Sequence, residues 1–155
     1  MIQKTHLSLI FFFLMALFSA CGTKSIHSLP ESISKTVDNL AIEGYDAVAY
    51  QTAEHAFKGN SQYEFYWNGA KWLFVSKENQ ERFASDPDRY APQYGGYCAW
   101  SVSEDKVMKA DPSVWKVVDG KLYLIQSDMV REIWEKSQPE LIKKSNENWI
   151  KMNKQ

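Results

Sequence analysis

The sequence predicts a small α+β domain in which two β-hairpins, giving four or five strands, pack with about three helices. Three observations lead there. Gln62 to Trp67 alternates Tyr63, Phe65 and Trp67 with Gln62, Glu64 and Tyr66, the period of a half-buried strand. Asn68-Gly69 and Asp119-Gly120 are favoured two-residue turns, each between β-type segments. A serine followed by polar and apolar residues at helical spacing comes after each hairpin.

In chain order, Tyr45 to Tyr50 is apolar and reads as a short strand. Gln62 to Trp67 and Ala70 to Val75 form the first hairpin. Ser76 caps a helix over Lys77 to Ser85, because its hydroxyl can accept an unsatisfied first-turn N–H. Phe83 points inward and Asp86-Pro87 ends the helix. Val114 to Val118 and Lys121 to Ile125 form the second hairpin. Ser127 or Asp128 starts a helix to about Lys136, with Met129, Val130, Ile133 and Trp134 on one stripe. Pro139 opens a last helix whose apolar side carries Leu141, Ile142, Ser145, Trp149 and Ile150. No internal repeat is read in the chain.

The first residues are processing signals. Lys4 and His6 precede an apolar run from Leu7 to Phe18, too short to span a bilayer comfortably. Leu17-Phe18-Ser19-Ala20-Cys21 resembles a lipobox, with Gly22 after it. The expectation is a signal peptide over residues 1–20, lipidation of Cys21, a tether over 21–39 and one domain over 40–155. That makes the chain a bacterial envelope lipoprotein facing the periplasm or exterior, bound to a membrane through Cys21. In a diderm cell, Gly22 would direct it to the outer membrane. Removing Lys4 takes the basic residues from 18 to 17 against 19 acidic. Without a basic patch, nucleic acid is excluded as a partner. No phosphate loop, hydrolase triad or zinc-protease motif is present.

With Cys21 lipidated, Cys98 is the one free thiol of the mature chain. It lies in Tyr94-Gly95-Gly96-Tyr97-Cys98-Ala99-Trp100. Glycines admit positive φ and close backbone approach, so Gly95 and Gly96 can turn N–H groups toward the sulfur and stabilise a thiolate. The same pair also suits a tight turn into a core where Cys98 is a small apolar residue. Tyr97 and Trp100 flank it, and Tyr45 and Asp46 are placed as further pocket residues, Asp46 alternatively as a turn cap. His55 sits in a polar loop, Met108 in another, and Met129 on an apolar stripe that favours packing. The other tryptophans fall on strands and helices and read as core.

Asn68-Gly69-Ala70-Lys71-Trp72-Leu73-Phe74-Val75-Ser76, followed by Glu81-Arg82-Phe83-Ala84-Ser85-Asp86-Pro87-Asp88-Arg89-Tyr90, resembles the YHS domain. That module occurs in copper-transporting ATPases and other proteins linked to heavy metals. With Tyr45-Asp46-Ala47-Val48-Ala49-Tyr50 upstream and Tyr94-Gly95-Gly96-Tyr97-Cys98-Ala99 downstream, the chain looks like the secreted branch of that family. The resemblance implies a soft metal such as copper, with Cys98 as a ligand. It also carries a departure. The positions matching the cysteines of metal-linked members are Ala49, Val75 and Asn79, none of which supplies a thiolate. Three readings follow: a binding module for a soft metal or small ligand near Cys98, which is not an enzyme; a thiol redox protein using Cys98; and a structural or interaction domain.

Overall fold

The computed structural model describes residues 32–154, so the lipobox, Cys21 and His27 lie outside the described residues. It is α+β, with two antiparallel two-stranded sheets and six α-helices among the described residues. In order these are α1 (Ala49–Thr52), β1 (Asn60–Trp67), β2 (Ala70–Phe74), α2 (Lys77–Ser85), α3 (Pro87–Tyr90), α4 (Ala99–Ser103), β3 (Asp111–Val118), β4 (Lys121–Ile125), α5 (Asp128–Glu135) and α6 (Gln138–Met152). Both hairpins and the three longer helices stand where the sequence puts them. Ser76 and Ser127 accept the N–H groups of Asn79 and Val130 at the starts of α2 and α5. Asp86 ends α2 and caps α3, accepting from the Arg89 N–H.

The expected strand from Tyr45 to Tyr50 is a correction. Only Tyr45 forms a β-bridge, to Lys58, and Ala49 already belongs to α1. Asp46 decides this locally, because its Oδ1 accepts from the N–H groups of Val48 and Ala49, turning the chain into a helix. The helical stripe of α5 also differs. Trp134 is fully buried, but Met129 is 70% and Ile133 48% exposed, so Met129 is not core. In α6 the inward face takes in Asn148 and leaves Ile150 outside.

The chain contains the same structural unit twice, an internal repeat that the sequence reading does not detect. Each copy begins with a left-handed turn, Ile42–Gly44 in the first and Gln93–Gly96 in the second. The φ values are 42°, 53° and 78° at Ile42, Glu43 and Gly44, and 55°, 61° and 83° at Tyr94, Gly95 and Gly96. Gly44-Tyr45-Asp46-Ala47 then answers to Gly96-Tyr97-Cys98-Ala99. A short helix follows, α1 or α4, then an eight-residue and a five-residue strand, a serine cap, and α2 or α5. The registers agree. Asn60 pairs with Phe74 and Glu64 with Leu73, while Asp111 pairs with Ile125 and Trp115 with Leu124, the irregularity falling at the same place. Tyr45 bridges Lys58 as Tyr97 bridges Lys109. Phe83 and Trp134, at matching places in α2 and α5, are both fully buried.

Two cores form, and the second copy's Leu122 and Leu124 pack into the first of them. The first gathers Val48, Tyr50, Trp72, Phe74 and Phe83, and the second Cys98, Val102, Tyr123, Ile125 and Trp134. The packed chain also starts earlier than Leu40. Ile33 is buried, and Ser34 donates its N–H to the Gly95 carbonyl at 2.7 Å. α6 stands where the first copy has only the one-turn α3, each with a proline in its first turn, and it closes the second core over α4. Ser145 donates to the Ala99 carbonyl and Asn148 to those of Val102 and Ser103, so α6 satisfies backbone acceptors that a one-turn helix leaves open.

Candidate functional site

Cys98 is fully buried. It is the residue before α4, where it is bracketed by backbone bonds: its N–H donates to the Met108 carbonyl at 2.9 Å, and its carbonyl accepts from the Ser101 hydroxyl at 2.8 Å and the Val102 N–H. Its neighbours in the second core include Tyr94, Val114, Tyr123 and Trp134. The indole N–H of Trp134 in the same core has no hydrogen-bond partner among the described residues. This surrounding is apolar, the setting in which a cysteine acts as a small hydrophobe.

The two glycines serve packing rather than the sulfur. A Cβ on Gly95 would lie 2.1 Å from the Ser32 carbonyl oxygen, and one on Gly96 would lie 3.0 Å from a methyl of Ile42. Their left-handed conformation lets the 32–42 segment close against the turn. Gly96 faces a crevice of about 10 Å³, with room for roughly one water.

Asp46 is likewise fully buried, but its surroundings are polar. Oδ1 accepts from Val48 and Ala49 at 2.8 and 3.2 Å, and Oδ2 accepts from the Val75 N–H at 2.9 Å and the Asn79 amide at 2.7 Å. Ala49, Val75 and Asn79, the three positions matched to cysteines of metal-linked YHS modules, thus converge on one point. Here they converge as N–H donors around a carboxyl group. A metal site needs electron-pair donors at those positions, and N–H groups cannot fill that role. Among the described residues no group of three or more His, Cys, Asp or Glu is placed to hold a metal. The residues present therefore do not fit a soft-metal centre, either around Asp46 or around the enclosed sulfur of Cys98.

The other expected site residues are scattered. Tyr45 is half-buried under the Lys58 ammonium, 4.2 Å from the ring centre, in the first copy. Asp46 spends all four bonds inside that copy, so neither residue lines a pocket with Cys98. Tyr97 and Trp100 are half-buried against the second core, Tyr97 with its ring 6.1 Å from Trp149. His55 is exposed and rests on Phe57, 4.4 Å between ring centres. Met108 is 41% exposed and touches the site through its carbonyl.

The sequence reading missed the concavity. An open groove of about 480 Å³ lies beside the Tyr94-Gly95 turn, lined by Trp67, Tyr94 and Trp149 among others. It runs between the hairpin turn of the first copy, the start of β4 and α6, and Ser32 and Ile33 form part of its wall. Of the expected site residues only Gly95 reaches it. The Tyr94 hydroxyl donates to Asn146 Oδ1 at 2.9 Å, and burial, helped by the nearby Tyr123 phenol, pushes its pKa above the usual phenol range. By their positions in the sequence Trp67 and Trp149 read as plain core. Both are half-buried because each sits where one of the chain's two cores meets the surface.

No family profile matches the chain, and no curated protein or solved structure matches it either.

Proposed function

We propose that the chain is a YHS-type lipoprotein, held at the bacterial envelope through a lipidated Cys21, whose domain is a non-catalytic binding module for a small ligand. The ligand surface is the outer face of the Tyr94-Gly95 turn, and Cys98 is the packed inner face of the same segment. One observation carries this reading: Cys98 is fully buried in an apolar core while the turn beside it lines a groove of about 480 Å³. That volume lies in the ordinary range of small-ligand sites, roughly 300–1,000 Å³. A soft metal, expected from the resemblance, is not part of the proposal, because the donor set does not fit one.

The test is thiol reactivity in the full chain. Iodoacetamide labelling followed by mass spectrometry is expected to leave Cys98 unmodified in the native state and to modify it fully in denaturant. The same spectra are expected to show acyl chains on Cys21. Rapid native labelling of Cys98, extending well below a free thiol's pKa of about 8.5, would sink this reading in favour of thiol redox chemistry.

A further inference from the structure

We propose that the groove between the two copies binds a short oligosaccharide. This rests on the binding-module reading and names the ligand class.

The groove pairs flat apolar faces with fixed polar groups. Trp67 and Trp149 are half-buried and braced from behind. The Trp67 ring lies 5.8 Å from both Trp72 and Phe83, and the Trp149 ring lies 6.0 Å from Tyr94 and 6.1 Å from Tyr97. Bracing holds each indole in place, so a ligand that stacks on it meets a surface already ordered.

Asn146, Trp149 and Asn153 share one face at the end of α6, three and then four residues apart. Their amides are oriented by internal bonds. Asn146 Oδ1 is held by the Tyr94 hydroxyl, which leaves its NH₂ as a donor. The Asn153 NH₂ donates to the Trp149 carbonyl at 2.8 Å, which leaves its Oδ1 as an acceptor. A donor and an acceptor thus flank the indole. Asn68 and Gln93 add further amides to the lining. The charges are one of each sign, Asp88 and Lys121, and neither forms an ion pair among the described residues.

This chemistry suits a pyranose ring. Such a ring offers a C–H face to an indole and hydroxyls, each both donor and acceptor, to amides at its edge. A phosphorylated or strongly acidic ligand would call for clustered cations, and one lysine does not supply them. A purely apolar ligand would cover the free donor of Asn146 and the free acceptor of Asn153 without replacing the water they bind.

The experiment is a tryptophan-fluorescence titration of the full chain in a zwitterionic detergent without sugar headgroups. The probes are a β-1,4 N-acetylglucosamine tetramer, representing a wall-type glycan, and β-1,4 and α-1,4 glucose tetramers, representing soluble glucans. Tetra-alanine and inorganic phosphate are the non-saccharide arms. At least one tetrasaccharide is expected to give a saturable change, and which one responds identifies the source. Asn146→Asp keeps the acceptor for Tyr94 but removes the amide donor, and is expected to weaken binding at least about tenfold. Trp149→Phe is expected to weaken it likewise, while Cys98→Ala and Met129→Ala leave it unchanged, with circular dichroism verifying the fold of each. Silence from all three saccharides overturns the proposal. So does a saccharide signal indifferent to both groove variants. Saturable binding of tetra-alanine or phosphate alone overturns the saccharide assignment while leaving the binding module standing, and the labelling of Cys98 separately decides against or for the thiol redox alternative.

Discussion

Asp46 and Cys98 occupy the same place in two copies of one unit. The Asp46 N–H donates to the Phe57 carbonyl at 2.8 Å, and the Cys98 N–H donates to the Met108 carbonyl at 2.9 Å. Each follows a Gly-Tyr pair, each precedes Ala and a short helix, and each is fully buried. What differs is the facing wall. Asp46 meets the Asn79 amide and the Val75 N–H, whereas the matching position in α5 is Val130, packed against the second core. The first copy joins its turn to its helix with hydrogen bonds, and the second does so with apolar contact. Cys98 is thereby read from its partner in the repeat: it is the apolar version of a structural joint.

Asp46→Asn puts this to the test in the first copy. One oxygen still serves Val48 and Ala49, but an NH₂ then faces two donors, Val75 N–H and Asn79 Nδ2. The Val75 N–H loses its acceptor and the Asn79 amide must turn its oxygen to the new NH₂, which together cost about 1–3 kcal/mol, and Asp46→Ala, which loses all four bonds, costs more. Urea denaturation followed by far-ultraviolet circular dichroism measures both. A loss below about 0.5 kcal/mol for Asp46→Asn would show that the carboxyl is not a joint.

In the second copy, Cys98→Ala is expected to cost roughly 1–2 kcal/mol through a small cavity. Cys98→Ser is expected to cost at least as much although it is closer in size, because a hydroxyl enters an apolar core. Cys98→Asp is expected to cost about 3 kcal/mol or more while still giving a urea transition, since Val130 offers nothing to a buried carboxyl group. Adding Val130→Asn recreates the Asp46–Asn79 pair, and is expected to recover roughly 1–3 kcal/mol as a coupling term in a double-mutant cycle. Strict additivity of the two changes would sink the equivalence of the sites.

The fold was largely legible because its signals are local. Alternation in β1, the x-Gly turns and the serine caps each act within a few residues, and α2 falls on Lys77–Ser85 as read. α1 escaped because its start depends on a side chain three residues upstream, and a run of small apolar residues reads equally as strand. The repeat escaped because its identities are sparse: Gly-Tyr-x-Ala, a lysine, a turn glycine, a leucine and a capping serine are spread over each copy. The candidate site was read from chemistry, which led to the lone sulfur. The groove is instead made by Trp67, Tyr94 and Trp149, brought together from three distant segments, and no spacing in the sequence announces that. Asn146 and Asn153 on α6 hold the signal that was available, two amides at helical spacing around a tryptophan.

Gly95 and Gly120 separate close approach from backbone conformation. Both have positive φ, 61° and 72°, but a Cβ at Gly120 meets nothing within 4 Å while one at Gly95 meets the Ser32 carbonyl. Gly120→Ala is expected to cost only the left-handed penalty, about 1–2 kcal/mol. Gly95→Ala adds displacement of the 32–34 segment and loss of the Ser34–Gly95 bond, for a total of about 3 kcal/mol or more. Limited proteolysis distinguishes them, with early cleavage near Ser34 in Gly95→Ala alone. Equal protection in the two variants would contradict the packing role of Gly95.

Stability is expected to fall in alkali for a specific reason. Burial raises the pKa of Tyr50, Tyr94 and Tyr123, with the Tyr45, Asp46 and Asp111 charges adding to the effect at Tyr50. The unfolded chain ionises these phenols near pH 10, while the folded chain keeps them neutral. Above about pH 10 the unfolded state therefore binds fewer protons, and the stabilisation, fully present below that pH, is lost as the pH rises. Tyr50→Phe removes the bond to the Pro112 carbonyl, 2.7 Å long, and costs about 1 kcal/mol at neutral pH. It also removes one phenol from the linkage, so its stability declines less steeply in alkali and the two curves converge. Urea midpoints at stepped pH, read beside the ultraviolet absorbance of the phenolates, follow both effects. Parallel curves for the wild type and Tyr50→Phe would mean that the Tyr50 phenol titrates alike in the folded and unfolded chain, and that its enclosure in the first core does not keep it neutral.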